Sequence, residues 1–297
     1  MTKGLTPNDA LDLEFWRALE PELTIEGSGA PPTMPTPDLK VLIEKLKYEG
    51  YINEPDLLGP EFVTRLRATV ENLNKRGIPL AFAFVYDEFW QAFQSISPLI
   101  EAALGPNYKA LPDFWVWCVV PSESSHGWGP HHDKVAPTLD RDNSPHTLTV
   151  WLPFSDATPL NGCIYMLPAH LDERFKRRNW GGEGNNVVSA PQDIRALPAT
   201  AGSVLAWNQA VLHWGGRASR QSPGARVSAA FEFQRGDKPA FNTPLLDPRK
   251  TPPFRQRLGL IAKQVLQYKH MYPLTADVAR LAESLRDRFM PGAALRI

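Results

Sequence analysis

Residues 129–133 read Gly-Pro-His-His-Asp. A strand sends alternate side chains to one face, so His131 and Asp133 can meet one ion while His132 points away. A third ligand must come from elsewhere, and His213 supplies it about 80 residues on, in Val211-Leu212-His213-Trp214-Gly215-Gly216. Two histidines and one carboxylate occupy a triangular face of an octahedral ion and leave the opposite face open. Non-haem Fe(II) oxygenases use that donor set. The open positions suit a bidentate co-substrate and O2.

The co-substrate needs an anchor. Arg226 lies 13 residues beyond His213 and opens an apolar run. A guanidinium holds a distal carboxylate through two parallel hydrogen bonds, which Lys cannot do. That suits 2-oxoglutarate, with its keto-acid end on iron and its far carboxylate on Arg226. Ser228 shares the face of Arg226 and can add a hydroxyl contact. Thr149 joins them as a co-substrate contact if the face it shares with Trp151 is the inner one, which depends on register. Two other readings use the same residues. A zinc hydrolase with a metal-bound water leaves Arg226 without a role and lacks an evident general base. A non-catalytic protein that senses a small ligand would not need a complete ligand set.

Other candidates read more plainly. His132 is a pocket-rim or structural residue, and His170, after Pro168, is a turn-stabilising hydrogen-bonder. His126, His146 and His270 have no ligand-like setting and read as surface residues. Trp128, Trp207 and Trp214 lie close in sequence to the ligands, and an aromatic wall would suit an apolar or planar substrate. Core packing is the plainer role for Trp207, inside a strand-like run. The cluster Arg174, Lys176, Arg177, Arg178 adjoins Asp172 and Glu173 and reads as a solvated helix face. Cys118 and Cys163 sit in apolar runs and read as buried thiols.

The elements that must position these residues change character along the chain. Residues 5–19, 38–49, 60–75 and 88–104 carry helical spacing, with Asp38 as a cap and Pro60 in a first turn. Residues 27–37 are a Pro- and Gly-rich linker. Short β-type runs follow at 114–120, 147–154, 163–167, 203–207 and 226–234, and Asn161-Gly162 marks a tight turn. Residues 255–269 and 275–289 are helical again. The expected organisation is one domain over 1–297: a helical N-terminal region at 1–109, a jelly-roll β core at 110–236 and a helical C-terminal region at 237–297.

Composition limits the alternatives. Among 297 residues, 43% are hydrophobic and 22% charged, as in an ordinary globule with a real core. Lys plus Arg equals Asp plus Glu at 32, so no net positive field exists to favour nucleic acid or an anionic membrane. The 29 prolines exclude a helical bundle. Two cysteines are too few for a disulfide framework. No apolar run reaches membrane-spanning length, and the acidic start is unlike a signal peptide. A cytoplasmic enzyme acting on a small molecule is the expectation, with oligomeric state unread.

Over most of residues 38–236 the chain resembles the phytanoyl-CoA dioxygenase family of Fe(II)- and 2-oxoglutarate-dependent oxygenases. The resemblance rests on Tyr48-Glu49-Gly50-Tyr51-Ile52 with Asp56-Leu57-Leu58, on His131 and Asp133, and on residues 161–170 from Asn161-Gly162 to His170. It rests also on Ala201-Gly202-Ser203, His213 and Arg226. It implies a double-stranded β-helix (jelly-roll, cupin-like) core, mainly β with flanking helices. It also implies the iron triad and oxidation of an unactivated C–H with release of succinate and CO2. Asp133 leaves no vacated carboxylate site for a halide, which favours hydroxylation over halogenation. The chain departs from the family at Trp214, where a small residue is common, and in a long loop between His213 and Arg226.

Overall fold

The alternation of residues 147–154 folds as the central strand of the larger of two antiparallel sheets. The computed structural model describes residues 5–35, 37–122, 128–134, 138–176, 190–269 and 274–292. Its strands are β1 (Tyr51–Glu54), β2 (Lys109–Val119), β3 (Thr147–Pro153), β4 (Ile164–Leu167), β5 (Arg195–Leu197), β6 (Val204–Asn208), β7 (Leu212–Gly215) and β8 (Arg226–Gln234). The large sheet runs β1-β6-β3-β8-β2 and the small one β5-β4-β7.

Alternation sorts the large sheet's side chains. Leu148, Val150, Val204, Ala206, Ala229 and Phe231 join the core beneath the helices. Trp115, Trp151, Leu205, Trp207 and Ala230 join Ile164, Met166 and Leu197 of the small sheet in a second core. The arrangement is the double sheet expected for a jelly roll, and it leaves a mouth between the sheets where the ligands sit.

The helices are α1 (Pro7–Leu11), α2 (Leu13–Leu19), α3 (Leu39–Glu49), α4 (Pro60–Arg76), α5 (Asp87–Ser95), α6 (Ser97–Leu104), α7 (Glu173–Lys176), α8 (Phe254–Gln267) and α9 (Ala276–Phe289). A predicted helix over 5–19 is two, because Asp12 is extended and its carboxylate caps the Glu14 amide. The helix predicted over 88–104 likewise breaks at Ile96. Pro98 has no N–H to continue α5 and sits in the first turn of α6.

The predicted division of the chain differs in one respect. β1 lies within the helical N-terminal region yet completes the large sheet, pairing Tyr51 with Trp207 and Glu54 with Val204. Short 3-10 helices at Leu80–Val85 and Pro191–Asp193 were also unpredicted. Among the described residues no helix is long and apolar enough to cross a membrane.

Candidate metal centre and its pocket

His213 lies on β7, and the segment holding His131 runs beside it. The His131 amide donates to the His213 carbonyl at 2.9 Å, and the His213 amide returns the bond at 3.0 Å. The Trp128 amide donates to Gly215 at 2.8 Å. His131 Nδ1 lies 2.8 Å from the Gly129 carbonyl and His213 Nδ1 lies 3.2 Å from the Val211 carbonyl. A carbonyl only accepts, so both Nδ1 atoms carry a proton, and the Nε2 atoms are the nitrogens left to meet an ion. Those Nε2 atoms lie 3.4 and 3.5 Å from Asp133 Oδ1. One ligand atom from each residue lies within 4.8 Å of the others, a spacing that one ion can bridge. His132 turns away, with Nδ1 2.8 Å from the Ala210 carbonyl.

The charges suit a cation. Burial pulls the His213 imidazole down to about 4, so it is neutral near pH 7. Burial also lowers His131, but the hydrogen bond and charge of Asp133 outweigh it and leave His131 above the usual value. Burial opposes ionisation of Asp133, yet the imidazoles and Lys134 hold its carboxyl below the usual range. Its other oxygen, Oδ2, accepts from Thr149 Oγ1 at 2.8 Å and Trp207 Nε1 at 2.9 Å.

The site opens into a cavity of about 320 Å³. His131, Asp133, His213, Thr149 and Arg226 all line it, together with Trp115, Trp117, Trp128, Trp151, Trp207 and smaller apolar residues. Arg226 is only 6% exposed, and its guanidinium lies over the Trp151 ring at 5.6 Å. Burial lowers it to about 10, so it stays charged near neutral pH. Among the described residues no carboxylate pairs with it, and its Nε has no hydrogen-bond partner. Ser228 does not line the cavity. It follows Arg226 on the same face of β8, and its Oγ is likewise buried without a partner. A buried cation without a counter-ion is costly, and an anionic ligand relieves that cost.

Several expectations need correction. Thr149 faces inward, but its hydroxyl is committed to Asp133 rather than left free for a co-substrate. Trp207 does more than fill a core, because its indole N–H holds Asp133. Trp214 alternates with His213 and so leaves the pocket, stacking on Tyr165 at 5.7 Å. His146 is not a surface residue: its Nε2 lies 2.7 Å from Asp140 and its side chain is mostly buried. His170 stacks on Tyr48 at 4.4 Å, with Nδ1 3.4 Å from the Glu49 carboxylate. Cys163 is buried, whereas Cys118 is partly exposed and lines the cavity. His126, Arg177, Arg178 and His270 lie outside the described residues.

The family model for phytanoyl-CoA dioxygenase matches residues 81–226, which span every residue of the triad and end on Arg226. No curated protein matches the chain at a significant level. Solved structures of similar fold include the non-heme alpha ketoglutarate dependent carbocyclase SnoK from nogalamycin biosynthesis. It is 19% identical with a TM-score of 0.53, over 70% of this chain and 88% of that one. The epimerase SnoN, in complex with Fe3+, alpha ketoglutarate and nogalamycin RO, is 18% identical with a TM-score of 0.52, over 72% and 94%. HygX from Streptomyces hygroscopicus, with nickel and 2-oxoglutarate bound, is 15% identical with a TM-score of 0.50, over 69% and 89%. At these identities the likeness speaks for the fold. Residues 81–226, about half of the chain, carry a phytanoyl-CoA dioxygenase family domain, that of non-haem Fe(II)- and 2-oxoglutarate-dependent enzymes.

Proposed function

We propose that this enzyme hydroxylates an unactivated C–H of a small molecule. His131, Asp133 and His213 hold Fe(II), and Arg226 takes the far carboxylate of 2-oxoglutarate. When bound, the iron and the keto acid together supply the activation of O2. The stoichiometry balances as substrate C–H, 2-oxoglutarate and O2 giving C–OH, succinate and CO2. The observation that carries the reading is Arg226, a buried cation with no carboxylate partner among the described residues, lining the same cavity as the three ligands.

The chain's own residues divide the remaining work. The Nδ1 bonds to Gly129 and Val211 orient both imidazoles. The apolar lining excludes bulk water and strengthens charge interactions inside. Trp115, Trp117 and Trp128 offer ring faces to an apolar or planar substrate, and among the described lining residues Arg226 is the one basic side chain besides the histidines. The structures of similar fold include a carbocyclase and an epimerase, so cyclisation or epimerisation is the alternative outcome that product analysis must separate from hydroxylation.

The test is to load the apo-protein with Fe(II) and 2-oxoglutarate without air. A visible charge-transfer band, followed by O2-dependent succinate formation, is expected. No band and no succinate, with activity on an ester or amide in the zinc-loaded protein, would replace the proposal with a hydrolase.

A further inference from the structure

Asp133 presents its two carboxylate oxygens to different groups. Oδ1 faces both imidazole Nε2 atoms, at 3.4 and 3.5 Å. Oδ2 is turned from them and accepts from Thr149 Oγ1 and Trp207 Nε1. Thr149 and Trp207 are direct cross-strand partners on β3 and β6, so one register pair supplies both donors. Gln209 Nε2 donates to Thr149 Oγ1 at 3.0 Å. A hydroxyl has one hydrogen, so that bond leaves the Thr149 hydrogen committed to Asp133. The Trp207 ring also packs 4.8 Å from the His213 ring.

We infer that Trp207 and Thr149 are positioning residues that hold Asp133 as a one-oxygen ligand. The inference rests on the metal reading above. A carboxylate free to turn about its Cβ–Cγ bond can chelate an ion through both oxygens. That second bond would occupy a position the keto acid needs. Two donors on Oδ2, fixed by a sheet register, oppose the turn. Trp207 thus acts on the ion through Asp133.

Cobalt(II) tests this without turnover, since its visible d–d absorption reports coordination number and geometry. Trp207→Phe is expected to raise the Co(II) Kd about 10- to 100-fold, the usual effect of losing a ligand's supporting bond. It is also expected to alter the d–d spectrum. Thr149→Val should do the same, and Thr149→Ser should restore both. Trp115→Phe removes an indole from the same cavity whose Nε1 makes no bond to Asp133, and it should keep the wild-type cobalt spectrum. If Trp207→Phe misfolds, the Thr149→Val and Thr149→Ser pair decides. Wild-type Kd and spectrum in folded Trp207→Phe and Thr149→Val would overturn the inference while leaving the metal reading intact. A wild-type protein that binds no Co(II) would instead overturn the metal reading and this inference with it.

Discussion

His131 and His213 exchange both of their backbone hydrogen bonds across an isolated antiparallel bridge, and their rings lie 4.4 Å apart. In a pair of this kind the Cα atoms stand about 5.5 Å apart and the side chains leave on the same side. The bridge therefore sets the spacing of two nitrogen donors before an ion arrives.

A pre-formed site predicts a particular response to metal removal. A chelator should leave the far-UV circular dichroism unchanged. Adding a divalent ion at 100 times its Kd should stabilise the fold by about 2.7 kcal/mol, read as a higher Tm. His213→Ala should lose that gain. Unfolding on chelation would mean that the ion, rather than the bridge, assembles the site.

Arg226 should trade stability for binding. Its guanidinium is buried over Trp151 with no carboxylate partner among the described residues. Arg226→Met is expected to weaken 2-oxoglutarate binding by about 2 kcal/mol or more, thirtyfold or more, while sparing metal affinity. Arg226→Lys should rescue little, because one ammonium cannot reproduce two parallel bonds. Without 2-oxoglutarate, Arg226→Met should melt above wild type. Unchanged 2-oxoglutarate affinity, measured by anaerobic titration, would remove Arg226 from the model.

What could be read from the sequence depended on how local each determinant is. The convergence of His131 and Asp133 follows from the two-residue period of extended chain, and the position of Arg226 follows from the start of an apolar run. The same period places Trp214 opposite His213, so its exit from the pocket was available to that argument. The bond from Trp207 to Asp133 was not. It joins residues on separate elements through the β3–β6 register, and no local pattern encodes that register. β1 and β5 were missed for another reason. Four and three residues give too little alternation to distinguish a strand from a loop. Their partners, β6 and β4, decide their conformation.

Glu88 gives a stability signature in pH. Both its carboxylate oxygens accept from the Thr24 amide at 3.0 Å, and Asp87 stands beside it, paired with Arg257. Burial raises the Glu88 carboxyl against those hydrogen bonds, with the Asp87 charge adding to the rise. A raised carboxyl favours folding fully below the unfolded Glu value of about 4.3, and the benefit is lost as pH climbs through the folded value. Melting curves of Glu88→Gln should therefore lack a decline that wild type shows on rising from about pH 4 towards neutrality. Parallel curves would exclude Glu88 as its source.

Gly162 couples a turn to the position of β7. Its φ is +85°, and a Cβ there would stand 2.2 Å from the Gly216 carbonyl oxygen, one residue past β7. Backbone on both sides leaves little to yield. Gly162→Ala should cost about 2 kcal/mol or more, from the left-handed conformation and the clash together. Because β7 carries His213, metal affinity should fall as well. A stable variant with unchanged affinity would show that the turn relaxes without moving β7.

Lys134 and Glu232 form an ion pair at 2.5 Å with both side chains 3% exposed. Lys134 follows Asp133 in the chain, and its amide donates to the Gln209 carbonyl at 3.2 Å. Glu232 is the register partner of Thr149. The pair therefore ties the backbone beside Asp133 to β8. Burial raises the Glu232 carboxyl, and the Lys134 charge opposes that rise. Removing one partner strands the other charge, so Lys134→Met or Glu232→Leu should each destabilise by about 3–5 kcal/mol. The double variant Lys134→Met/Glu232→Leu replaces both with apolar volume and should return close to wild-type stability, because a buried pair seldom outperforms good packing. Denaturant melts of the four proteins give the coupling directly. If the double variant is as unstable as the sum of the singles, the two residues act independently and the tie between Asp133 and β8 lies elsewhere.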